Sequence, residues 1–174
     1  MMRNAALAPL PVGTLSLLVL IASMPWGGPD WLELALLLLP AATVYFWSLR
    51  RPHLLPAPIV LAAGLVLDVL SNGPLGIWCT ALLVVALMAR LLQRARPRGG
   101  ALLRGAGGLL ALTMAAGIAT LLNSLYAWDT VSPGQVAEAL LAACIAYPIV
   151  TSLLTILDAA WSVPSERSLF VRGD

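Results

Sequence analysis

GLVLDVLSNGPLG, Gly64 to Gly76, sets one charged residue in an apolar run and follows it with a chain-reversal signal. One carboxylate, Asp68, sits in the last turn of an otherwise uncharged apolar run that breaks at Asn72-Gly73-Pro74. A charge inside such a run costs about 2.5 to 3.5 kcal/mol even on the mild insertion scales, so it asks for a partner or a task. Gly64 and Asp68 are one helical turn apart and share a face, with the glycine permitting close approach one turn below the carboxylate. Asn72-Gly73 is expected to supply a positive-φ turn, Pro74 prevents simple continuation, and Gly76 opens the next helix. Two roles follow for Asp68: bonding turn amides to stabilise a tight hairpin, or contacting another protein or ligand.

Composition carries the same signal along the whole chain. Of 174 residues, 60% are hydrophobic and 10% charged, against about 25% charged in ordinary soluble domains. Mean hydropathy is +0.93. This length makes one unit built of membrane spans, with little room for a soluble domain. The fold class expected is an all-α polytopic membrane protein with six transmembrane helices, at about 7–26, 31–49, 54–70, 75–92, 102–128 and 136–161. The connections are short, so consecutive helices are antiparallel neighbours. Pro40 and Pro148 are expected to bend the second and sixth spans, whereas Pro56 and Pro58 fall where a helix start tolerates them.

All 10 cationic residues are arginine. Arg3, then Arg50 and Arg51, then Arg90, Arg94, Arg96, Arg98 and Arg104, then Arg167 and Arg172 all land on one side of the six-span layout. Asp30 and Asp129 lie in the opposite loops. The positive-inside rule therefore puts both termini in the cytoplasm, and these arginines are read as topology and anionic-lipid contacts rather than a nucleic-acid surface. Trp26, Trp31, Trp128 and Tyr126 are expected at the outer interface and Trp47 and Trp161 at the inner one. A cleaved signal peptide is the competing reading of the first segment, but no clean Ala-x-Ala site follows and its removal would leave an odd span count.

Catalytic patterns are missing. His53 is the single histidine, Cys79 and Cys144 stand apart inside spans, and no HExxH, phosphate loop or nucleophile-base arrangement is present, so neither enzyme chemistry nor a cofactor nor a bound metal is expected. Asp68 and Asp158 lie toward opposite ends of their spans and make no acid/base pair. Helix packing is written more plainly. Gly107, Ala111, Ala115 and Ala119 recur every four residues and end at Asn123, a small-residue stripe that lets another backbone come close. Its neighbour is either a span of this chain or one of a partner. Ala139 and Ala143 repeat the pattern more weakly.

The run Phe46-Trp47-Ser48-Leu49-Arg50-Arg51-Pro52, followed by Pro58, Gly64-x-x-x-Asp68 and Pro74-Leu75-Gly76, with Tyr147-Pro148 as a weaker echo, resembles the rod shape-determining protein MreD family of bacterial inner membranes. The sharp part of the likeness is Phe46 to Gly76; length, span count and arginine loop fit over the rest. The resemblance implies a non-enzymatic subunit of the elongation machinery that works beside the bitopic protein MreC, the MreB filament, and the peptidoglycan polymerase and transpeptidase pair. It also implies a fold like the substrate-binding component of energy-coupling-factor transporters, which supplies the rival expectation of a vitamin-type binding component. Against that rival, the outer loops offer few polar groups beyond Asn123, Asp129, Thr130, Ser132 and Gln135. An ion-coupled carrier using Asp68 would need a second acidic relay residue at mid-membrane.

Overall fold

Every residue from Pro40 to Ser48 is buried, which a helix achieves only when other helices surround it on all sides. A computed structural model of the chain describes residues 9–71, 74–95, 100–127 and 133–162, and every regular element among them is a helix. These are α1 (Pro9–Ser23), α2 (Asp30–Leu37), α3 (Leu39–Arg50), α4 (Ala57–Leu70), α5 (Ile77–Ala95), α6 (Ala101–Ala127) and α7 (Pro133–Ser162). The expected second span is interrupted, α2 giving way to α3 at Leu38, because Pro40 has no N–H to continue the ladder. Pro148, by contrast, lies inside an unbroken α7.

Helices α1, α4, α5, α6 and α7 follow one another as neighbours in an arc. Helix α2 sits against α7 and α1 and closes the arc, while α3 runs through the middle and touches α1, α2, α5, α6 and α7. The outer faces of the arc are leucine-, isoleucine- and valine-rich and exposed: Leu61, Leu65, Val66 and Val69 on α4, and Leu141, Ile145, Ile149 and Leu153 on α7. A soluble protein does not expose such faces around its whole girth. Among the described residues, four segments have the length and apolarity to cross a membrane: Trp31–Arg50, Ile77–Ala95, Leu103–Tyr126 and Gly134–Ala160. Helices α1 and α4 are apolar but shorter.

Since lipid is as apolar as leucine, what holds such a bundle is close packing and internal polar bonds. The close packing uses small residues. Helix α5 buries Ala81, Ala86 and Ala89, and α6 buries Ala111, Ala115, Ala116 and Ala119. The small-residue stripe therefore faces inward, not toward a partner. At its start, a Cβ on Gly107 would strike the Tyr45 hydroxyl of α3 and come within 2.7 Å of Leu92 of α5. Asn123 at its far end is half-buried. On α7 the weaker stripe also turns inward, with Ala139 and Ala143 buried.

Two interface expectations meet different outcomes. Trp26, three residues past the end of α1, is exposed. Trp47 is not at the surface: it is 1% exposed, and its indole N–H donates to the Thr14 hydroxyl of α1 at 3.0 Å. Because α3 is central, the whole turn that carries Trp47 is enclosed, and an indole there needs an internal acceptor.

Candidate functional site

The site is the α4–α5 hairpin, and it is assembled from the backbone outward. Helix α4 ends where the Ser71 N–H donates to the Leu67 carbonyl at 2.9 Å. Chain direction is then recovered at Gly76, whose φ of +103° lies in the region that L side chains rarely adopt. Asn72 and Gly73, the expected positive-φ pair, lie outside the described residues, so the turn feature on view belongs to Gly76. Pro74 is half-buried just ahead of it.

A helix that starts after a glycine has no cap of its own. The first amides of α5 would stand unpaired in an apolar surrounding, where each costs on the order of 1–3 kcal/mol. Asp68 meets this need from the preceding helix. Its Oδ2 accepts from the Gly76 N–H at 2.8 Å and, more loosely, from the Cys79 N–H at 3.4 Å, and its Oδ1 accepts from the Trp78 N–H at 2.8 Å. Trp78 and Cys79 are the second and third residues of α5, the positions that an ordinary N-cap side chain serves. The carboxylate is 0% exposed. Three amide donors and the positive end of the helix dipole compensate its charge.

Gly64 explains how the carboxylate reaches so far. A Cβ there would lie 2.6 Å from the Cys79 Cα, 2.8 Å from the Cys79 nitrogen and 3.1 Å from the Trp78 carbonyl carbon. Only a bare backbone lets α4 and the first turn of α5 touch, and that contact brings Asp68, one turn on, within bonding distance of the amides. The Cys79 thiol donates back to the Leu61 carbonyl at 3.4 Å. Gly64, Asp68 and Gly76 thus form one device. Cys79 and Cys144 are both free thiols.

The opposite end of the bundle carries a second set of polar contacts. Asp158 of α7 pairs with Arg50 at 3.2 Å and Arg51 at 2.9 Å. The Arg50 guanidinium also lies 4.8 Å from the centre of the Phe46 ring. Arg90 reaches from α5 to donate to the Leu55 carbonyl at 2.8 Å, fixing the segment between α3 and α4. The Tyr45 hydroxyl donates to the Arg104 carbonyl at 3.0 Å, tying α3 to α6. Arg94 is exposed in the last turn of α5, and Arg96 and Arg98 lie outside the described residues.

Sequence reasoning singled out Asp68 and its glycines but passed over the Asp158 pairing. The signal was present in the layout, which puts Arg50, Arg51 and the far end of the last span at the same side. His53 is exposed next to these arginines. Among the described residues, no group of three or more His, Cys, Asp or Glu side chains is placed to hold a metal ion. No protein-family model, curated protein or solved structure matches this chain.

Proposed function

We propose that this chain is a non-enzymatic membrane scaffold of the MreD kind, acting in rod-shape determination and lateral peptidoglycan synthesis. It crosses the bacterial inner membrane six times with both termini in the cytoplasm. Its task is to dock the single transmembrane helix of MreC beside the MreB filament and the peptidoglycan polymerase and transpeptidase pair. One observation carries the reading. Three of the residues on which the resemblance rests, Gly64, Asp68 and Gly76, are spent on an internal clamp, with both carboxylate oxygens held by backbone amides. Such a group rigidifies a bundle and is poorly placed to relay protons, which would unmake its own hydrogen bonds.

The orientation rests on charge. Arg50, Arg51, Arg90, Arg94 and Arg104 cluster at one end, where the positive-inside rule and attraction to anionic lipid both put the cytoplasm. Native mass spectrometry of the full chain, extracted in mild detergent from the producing bacterium, tests the assignment. A bitopic partner without a small ligand is the expected result. A stoichiometric vitamin-sized molecule, or an energy-coupling subunit with its ATPases, would overturn the scaffold in favour of a transporter component. Restoration of rod shape in a depleted strain by the wild-type chain gives the second arm.

A further inference from the structure

The helices differ in length, and their order around the bundle turns that difference into a shape. Helix α4 has 14 residues, about 21 Å at 1.5 Å per residue. Both of its ends are fixed. Asp68 holds the outer end to the first turn of α5, and the bond from Arg90 to the Leu55 carbonyl draws the segment before α4 up to the level of Arg90, short of the end of α5 at Ala95. The uncharged part of α5, from Ile77 to Ala89, is about 20 Å long.

Across the arc the dimensions change. By the same charge-free measure, α6 from Gly105 to Tyr126 has 22 residues and α7 from Ala139 to Leu157 has 19, about 33 and 28 Å along their axes. The exposed side chains agree: those on α4 run from Leu61 to Leu70, about 14 Å of axis, and those on α6 from Leu109 to Tyr126, about 26 Å. A typical hydrocarbon core is about 30 Å thick. Long helices can tilt to fit it, whereas a short helix pinned at both ends has no tilt to give up, and thinning of the bilayer beside it is one way the mismatch is met.

We infer that the α4–α5 side of the molecule is built against a locally thinned lipid layer and the α6–α7 side against one of full thickness, so the chain meets the bilayer as a wedge. The partner of the thin side is lipid of short apolar thickness. The inference goes beyond the scaffold assignment and rests on its six-span layout, in which α4 crosses the membrane.

The test uses the full chain carrying Cys79→Ala and Cys144→Ala in vesicles of dioleoyl phosphatidylcholine. Single spin labels are placed through Ala57→Cys, Leu61→Cys, Leu65→Cys and Val69→Cys along α4, and through Leu109→Cys, Leu121→Cys and Leu125→Cys along α6. Depth is read from the relative accessibility of oxygen and a nickel chelate. Headgroup depth at both Ala57 and Val69, with an apolar interval along α4 shorter than that along α6, is expected. Equal intervals, with Ala57 and Val69 both deep in hydrocarbon, would overturn the wedge while leaving the span count intact. Failure of the layout has a different signature: Ala57→Cys and Val69→Cys would then react with an impermeant thiol reagent from the same side, and the wedge would fall with it. The unfolding temperature gives a check without labels. It should be higher in bilayers with 14-carbon monounsaturated chains than with 22-carbon chains, and the reverse order contradicts the inference.

Discussion

Asp68 and Asp158 are the same side chain in the same kind of apolar helix, and the fold uses them in opposite ways. Asp68 is fully enclosed and bonded to backbone amides of the neighbouring helix. Asp158 is 13% exposed and bonded to two arginine side chains, themselves 38% and 23% exposed. A backbone amide cannot swing away to find water when its acceptor is lost, whereas an interfacial guanidinium can. The clamp at the α4–α5 turn should therefore be costly to break, and the pairing at the Arg50–Arg51 end cheap.

The largest effect is expected from Asp68→Leu. It leaves the Gly76 and Trp78 amides unpaired in an apolar site, at about 1–3 kcal/mol each, and should lower both the unfolding temperature and the amount of protein in membranes. Asp68→Asn should fall between the wild type and Asp68→Leu. Its one carbonyl oxygen replaces one acceptor, but its amide nitrogen then faces a backbone donor. A proton carrier would behave differently, failing as completely with asparagine as with leucine in complementation of rod shape.

Close behind comes Gly64→Ala, which pushes a methyl group into the Cys79 backbone and should cost about 1–3 kcal/mol of overpacking. Gly117→Ala is its control, because nothing lies within 4 Å of the Cβ it adds. Thermal unfolding of the two variants in one detergent should separate them clearly; equal unfolding temperatures would mean that α4 and α5 do not touch as described. Ala115→Leu adds bulk at a fully buried position of α6 and should reduce accumulation of the chain itself. Normal accumulation with selective loss of a co-purifying partner would place the stripe on a docking face instead.

The smallest effect belongs to the Arg50–Asp158 pairing. Arg50→Gln leaves Arg51 paired with Asp158, and a partly exposed ion pair contributes about 1 kcal/mol or less. The change in unfolding temperature should be slight and should shrink further in high salt. A loss as large as that of Asp68→Leu would erase the contrast between the two ends.

Much of this was legible before any coordinates. The Gly64-x-x-x-Asp68 spacing and the uncharged run around it mark a carboxylate that either serves a hairpin or contacts a partner; the spacing alone does not choose, because the amides that receive it belong to the next helix. The four-residue repeat from Gly107 to Ala119 marked a packing face, but not which way it turned, since a small-residue stripe looks the same toward a neighbour in the chain or a partner. Trp47 was misplaced because a tryptophan next to arginines has the composition of an interface belt, and nothing local reveals that α3 is central. Gly76 was noted as a helix start without its positive φ. That need arises from the path between α4 and α5, which is a property of two helices and not of one.

The clamp is tested most directly by hydrogen–deuterium exchange over the segment from Pro74 to Leu82, comparing wild type with Asp68→Leu, or with Asp68→Asn should the leucine variant fail to accumulate. The amides of Gly76, Trp78 and Cys79 should be protected in the wild type and exchange much faster in the variant, while α6 keeps its protection. Equal protection of that segment in the two proteins would contradict it.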